Sequence, residues 1–365
     1  MQLGKMLDAA RNAGERKLYL GNRSVQWGRI DLSAAGVVPM TRTDLHRYRL
    51  RQGDLLVCEG GEVGRAAIWR NQLSECYFQK ALHRLRPKKG YDVRLMLALL
   101  EYRASTGGFA NYVTQTSIAH LPRDKFIQMP IPLPSLSEQR RLGDLFDDLN
   151  GCIGSLQRLV VKKQAVKQGL MQQLLTGRMR FPGFTASWRT TNLGAVVTLQ
   201  RGFDLPSRLR RRGAVPIVSS SGTSGWHDHV MVKAPGVVTG RYGTIGEVFF
   251  QSVDFWPLNT TLWVSDFHGN DERFIFYMLH RVDFATHSGK SGVPGVNRND
   301  LHANLVTLPV SIDEQRAIAD ALSAIDHQVG HLERMITKKE SLKKGVMQEL
   351  LTGRSRLPVQ GESDE

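Results

Sequence analysis

Hydrophobic positions follow two different rhythms along this chain. In two stretches they recur at alternating steps of four and three: Leu142, Phe146, Leu149, Ile153, Leu156 and Val160, and then Ile318, Leu322, Ile325, Val329, Leu332 and Ile336. That spacing is the seam of a long amphipathic helix that pairs with another helix. Ser135 followed by Glu138, and Ser311 followed by Glu314, have the spacing of a capping box and predict the helix starts. Gly177 with Pro182, and Gly353 with Pro358, mark the exits. Each seam then meets two lysines, Lys163 and Lys167 in the first and Lys339 and Lys343 in the second, before Leu170 and Leu174, or Val346 and Leu350, resume it. Matching interruptions suggest that the helices pair with each other; a seam that packs on its own domain is the alternative. A helix of about 40 residues is a rod of roughly 60 Å.

The two stretches are copies. Residues 136–182 align without gaps on 312–358 at a constant offset of 176, with 20 identities in 47 positions. Elsewhere the apolar runs are short. Leu55 to Val57 and Val237 to Thr239 each lead into a glycine turn, Gly61 with Gly64 and Gly243 with Gly246, and a further apolar pair follows, Ala67 with Ile68 and Phe249 with Phe250. Each predicts a hairpin inside a β-rich domain. The lead-ins Leu3-Gly4 and Leu193-Gly194 match as well. The expected architecture is globule 1–135, rod 136–182, globule 183–311, rod 312–358 and an acidic tail 359–365. Its fold class is α+β: two mixed α/β domains alternating with two long helices that pair as an antiparallel coiled coil, with a pseudo-twofold internal repeat.

Charge changes what this architecture is for. The 365 residues carry 49 Lys and Arg against 34 Asp and Glu, a net +15 that favours a polyanionic partner. The excess sits on the globules: residues 1–135 hold 21 basic against 11 acidic side chains and residues 183–311 hold 12 against 9. Two basic heads at fixed separation suit one elongated polyanion gripped at two places, and duplex DNA has that geometry. No apolar run approaches the roughly 20 residues of a spanning helix and the first twenty residues carry charges, so a cytoplasmic protein is expected. Cys58, Cys76 and Cys152 read as ordinary reduced thiols, without disulfide or zinc spacing.

Catalytic signatures for nucleotide phosphates, zinc proteolysis, serine hydrolysis and base methylation do not occur in the sequence. Gly240, Gly243 and Gly246 come close to a dinucleotide fingerprint, but an expected strand follows them where that motif needs a helix. His227 and His229 flank Asp228 without a third ligand at suitable spacing and read as a surface turn, so no metal site is expected. Candidates for DNA contact are Arg208, Arg210, Arg211 and Arg212 in a loop near Pro206 and Gly213, since Arg suits bidentate contacts with phosphate or guanine. Arg241, Tyr242 and Thr244 on the second glycine turn join them. So do two polar runs beside glycines: Thr114, Gln115, Thr116 and Ser117 in the first globule, and Lys290, Ser291 and Asn297 in the second. The bland alternative for each is a solvated loop.

The rods, with Pro132-Leu133-Pro134 and Glu138-Gln139-Arg140 at the head and the run from Lys162 to Arg178 at the foot, resemble the specificity subunit of type I restriction-modification systems. So do the second rod's Leu308-Pro309, Glu314-Gln315-Arg316 and Lys338 to Arg354. Within the globules, Tyr19-Leu20, Val25 to Ile30, Leu199 to Asp204, Val218 to Gly222, Gly236 to Gly246 and Trp256 to Thr261 are similar to that family's target-recognition domains. The first half starts close to Leu3-Gly4, without the Trp-containing lead-in seen as Trp188 in the second, and is expected to lack a short edge. The resemblance implies a non-catalytic subunit whose two globules each read one half of a bipartite DNA target. It implies antiparallel rods that fix the unread spacer, and surfaces that dock two adenine-N6 methyltransferase subunits and further translocase-nuclease subunits. S-adenosylmethionine, ATP and magnesium would belong to those partners, with no cofactor in this chain. The rival is a scaffold that organises partner enzymes and touches DNA nonspecifically.

Overall fold

A computed structural model describes residues 1–8, 12–87, 90–115, 119–284 and 295–357. The chain forms two compact units, Met1–Arg158 together with Glu333–Glu365, and Leu159–Leu332. Two long helices, Leu136–Leu174 and Ile312–Leu351, each contribute one half to each unit.

In the first unit, a four-stranded antiparallel sheet runs in the order Gln2–Leu3, Leu82–Leu85, Leu55–Cys58, Ala66–Ile68. Leu55–Cys58 is apolar without alternation because both of its faces are covered. Leu55 and Val57 face Leu97, Leu100, Phe109 and Phe126, whereas Leu56 and Cys58 face Leu20, Trp69, Phe78 and Leu82. A second sheet joins Gly36–Met40, Glu15–Leu20 and Tyr77–Phe78, the last pairing parallel.

The second unit repeats this plan. Its four-stranded sheet runs Thr198–Arg201, Thr261–Asp266, Gly236–Gly240, Val248–Gln251, and its three-stranded sheet joins Gly222–His227, Val215–Ser219 and Trp256–Pro257. Connection order and strand directions match the first unit. An added ribbon pairs Trp188–Asn192 with Leu305–Pro309.

The two glycine turns are hairpins, as their spacing predicts. Leu55 pairs with Ile68 across one, and Val237 with Phe250 across the other. Gly61, Gly64, Gly243 and Gly246 hold φ between +74° and +85°, the left-handed region that glycine enters without strain.

The helix heads are capped as Ser135 and Ser311 suggest: their Oγ atoms accept from the backbone N–H of Glu138 (3.2 Å) and Glu314 (3.3 Å). The return half of the expected capping box is replaced, because both carboxylates are taken by arginines from the foot of the other helix. Within the first unit Arg356 donates Nε (3.1 Å) and Nη2 to Glu138; within the second, Arg180 donates Nε and Nη2 to Glu314, both at 2.8 Å. Glu138 and Glu314 are 6% and 1% exposed, so an arginine fork outcompetes a backbone N–H for them. Gln139 and Gln315 repeat a third device, each accepting from the cap residue of the globule's helix, Asp92 N (2.8 Å) or Asp271 N (2.9 Å).

Seam residues of both helices are buried or half-buried. In the first unit Leu142, Phe146 and Leu149 lie with Val346, Met347, Leu350 and Leu351, and with Leu95 and Ala98 of the globule's helix Val93–Ser105. In the second, Leu170 and Leu174 lie with Ile318 and Leu322, and with Phe274, Tyr277 and Met278 of helix Glu272–Leu279. The seam therefore packs on the other helix and on a globule at once. Three of the four interrupting lysines have partners there: Lys163 donates to Gln328 (2.7 Å), Lys167 pairs with Asp326 (2.6 Å) over the Tyr277 ring, and Lys343 pairs with Glu101.

Candidate nucleic-acid interface

In the second unit the basic loop divides by role. Ser207–Leu209 is a single 3-10 turn. Arg210 folds back to donate Nε to the Leu205 carbonyl (3.3 Å). Arg211 donates its backbone N–H to His227 Nδ1 (3.1 Å) and pairs through Nε with Asp228 (2.9 Å). These two residues hold the loop in place. Arg208 and Arg212 are exposed, with no carboxylate paired to them among the described residues, so they are the cations available to an anion.

His227 corrects the surface-turn expectation. It ends strand Gly222–His227 at 4% exposure, accepts from Arg211 and meets the Trp256 ring edge-on at 5.3 Å, because the loop above it needs a buried acceptor. Beside it on the same strand stands Trp226, 58% exposed and the one exposed tryptophan among the described residues. Sequence reasoning passed over it. An apolar side chain alternating outward on a strand next to an arginine loop was the available signal.

At the second glycine turn, the Gly240 position admits no Cβ, since one would sit 1.8 Å from the Thr244 carbonyl folded over it. The backbone N–H groups of Arg241 and Tyr242 donate to the Thr260 carbonyl at 2.9 and 3.2 Å. Arg241 lies over the Tyr242 ring, 4.7 Å from its centroid. Tyr242 is spent on packing, its ring filling the space that a side chain at Gly295 would need. Thr244 is exposed and Arg241 half-exposed.

Described residues flanking the polar runs come to the same turns. In the first unit Thr114–Gln115 pairs with Ala119–His120 as a hairpin. His120 bridges to Gly60, and Leu121 donates to the Glu59 carbonyl (2.7 Å), which fixes this hairpin against the first glycine turn. In the second unit Gly295 bridges to Tyr242, and Val296 donates to the Arg241 carbonyl (3.0 Å). Thr116, Ser117, Lys290 and Ser291 lie outside the described residues. Asn297 has a local duty, its side chain capping helix Arg298–His302 by accepting from Asn299 N (3.0 Å).

Beneath the first unit's hairpin, His83 is fully buried and its Nε2 donates to the Leu121 carbonyl (2.8 Å). Burial lowers its pKa below the ordinary imidazole value. It is therefore a neutral structural support. Cys58 and Cys76 are buried free thiols with pKa pushed up by burial, Cys76 to about 11, which makes both poor nucleophiles. Among the described residues no helix is long and apolar enough to cross a membrane.

Residues 30–161 and 186–343 match the family model described as type I restriction modification DNA specificity domain. The chain is similar to the type I restriction enzyme MjaX specificity subunit of Methanocaldococcus jannaschii, 24% identical over 374 aligned positions that cover 90% of this chain and 85% of that one. It is also similar to the MjaVIII specificity subunit of the same organism, 22% identical over 282 positions and 66% of each chain. Among solved structures, the S subunit of a type I restriction-modification system from M. genitalium superposes with a TM-score of 0.68 at 14% identity, covering 96% of this chain and 92% of that one.

Proposed function

The chain belongs to the type I restriction-modification DNA specificity family, and from that premise we propose how its two units divide the work of a specificity subunit. Each unit reads one half of a bipartite DNA target through its glycine turn and the polar segment fixed against it. The long helices pair as an antiparallel coiled coil under a pseudo-twofold repeat, and their length sets the unread spacer. The chain itself performs no chemistry. Two methyltransferase subunits that methylate adenine N6 with S-adenosylmethionine dock on it, and restriction subunits that use ATP and magnesium complete the assembly.

The observation that carries this reading is that one fold occurs twice with different side chains at corresponding places. In both units a residue flanking a polar run bridges to a glycine hairpin, His120 to Gly60 in one and Gly295 to Tyr242 in the other. A repeated scaffold with divergent tips is what two half-sites of different sequence require, because phosphate contacts position a protein while base-edge contacts specify it. The test replaces residues 183–311 with the corresponding globule of another specificity subunit and maps methylated adenines genome-wide. The expected outcome is a new consensus in one half-site and an unchanged other half. An unchanged consensus in both halves contradicts the reading and favours a scaffold.

A further inference from the structure

On the first unit, helix Arg42–Tyr48, the segment leading to Leu55 and the end of strand Leu82–Leu85 enclose a groove of about 700 Å³. Its lining is cationic: Arg42, Arg47, Arg51, Arg84 and Arg86, with His46 beside them. Arg84 is 8% exposed. It is held by the carbonyls of Arg47 (3.4 Å) and Arg49 (3.1 Å), by Gln2 Oε1, and by the Phe78 ring 5.0 Å beneath it. None of those partners carries a full negative charge. The carboxylates nearby are engaged: Asp54, fully buried, takes both forks of Arg86 at 2.6 and 2.7 Å, and Asp44 is held by Lys5 at 2.8 Å. Among the described residues no carboxylate is paired with Arg42, Arg47 or Arg51, and all three are exposed. The pKa of Arg84 is lowered, by burial first and by the Arg86 guanidinium second, as expected where positive charge is crowded and under-compensated.

A fold that packs guanidinium groups this way has organised, in advance, a seat for an anion with several oxygens. The seat is peculiar to one unit. By strand register Leu56 faces Arg84 where Val238 faces Trp263, so the second unit places Trp263 and Ser265 where the first has Arg84 and Arg86. We propose that this groove holds consecutive backbone phosphates of duplex DNA, giving the first unit a grip that fixes register without reading bases. The proposal rests on the DNA-recognition reading above, since a polymer can reach all three outer arginines from the surface while the inner pair stays engaged.

The experiment uses the full chain assembled with its methyltransferase partner and carrying Arg42→Gln, Arg47→Gln and Arg51→Gln, which leave Arg84 and Arg86 in place. Binding is measured by fluorescence anisotropy from 50 to 200 mM salt, on a duplex with the two-part target and on a scrambled duplex. Affinity is expected to fall by the same factor on both. The log–log salt slope should become shallower by roughly 0.9 for each phosphate no longer neutralised, about 2–3 in all. The matching Arg→Lys triple should restore most of the slope. Unchanged affinity and slope in a variant with a wild-type melting profile overturn the groove assignment. A consensus altered at particular bases, without a uniform fall in affinity, overturns it in favour of base reading. If the wild-type assembly shows no two-part preference at all, it is the DNA-recognition reading that fails, and the salt slope of the variant still decides whether the groove holds phosphate.

Discussion

Individual side chains in this molecule are sorted by what already holds them. Of the four arginines between 208 and 212, the backbone carbonyl of Leu205 and the carboxylate of Asp228 engage two, which leaves Arg208 and Arg212 for a ligand. The sequence showed a dense cluster but not this division, because the partners lie up to 17 positions away and arrive only when two strands pair. Trp226 was equally hidden: its exposure depends on which way one β residue points beside a loop. An exposed indole on the strand that holds the arginine loop through His227 is suited to lie against a sugar or the face of a base. Trp226→Ala should weaken binding of the intact target by about tenfold, roughly 1.4 kcal/mol, with little change in melting temperature because the ring is already in water. Anisotropy alongside a thermal melt reads both. A large fall in stability with unaltered affinity would show the ring to be structural.

At the level of elements, the 3.5-residue seams, the caps at Ser135 and Ser311 and the glycine hairpins were legible because their causes are local. The fate of Glu138 and Glu314 was not. Arg356 lies 218 residues from Glu138, and nothing local distinguishes a capping-box glutamate from one clamped by a distant fork. The five-arginine groove was invisible for the same reason, since its members come from separate segments that a sheet gathers. The clamp makes a pH-dependent contribution. Hydrogen bonding from Arg356 lowers the Glu138 pKa below its ordinary 4.5, so the folded state binds its proton less readily than the unfolded state does. The clamp's stabilisation is then complete above about pH 5 and is lost as pH falls through the carboxylate range. Arg356→Ala should cost about 1 kcal/mol at neutral pH, a modest figure because the arginine is 71% exposed and screened by solvent. That is a melting temperature lower by roughly 2–4 °C. The deficit should shrink in melts recorded toward pH 4; a deficit independent of pH would mean that packing, not charge, is what the arginine supplies.

For the molecule as a whole, the 176-residue offset of the rods, the paired glycine turns and the matching lead-ins made the doubled plan legible in the sequence, while the shared strand order of the globules emerged only from the structure. The ruler role proposed for the long helices has a direct test. Four residues inserted between 150 and 160 add about one helical turn, near 6 Å. The methylated consensus should then keep both half-sites and lengthen the gap between them by one or two base pairs, given about 3.4 Å per pair. An altered half-site with the same gap would contradict it.

Because the second unit is drawn from one uninterrupted stretch, Leu159–Leu332, synthesis supplies all of its residues before it reaches Glu333. The first unit waits for residues from Glu333 onward, among them Met347, Leu351 and the Arg356 that closes on Glu138. The half of the protein that is made first is therefore the half completed last. During synthesis Leu142 and Phe146 have Leu95 and Ala98 beside them early but wait for Met347 and Leu351 to complete their cover.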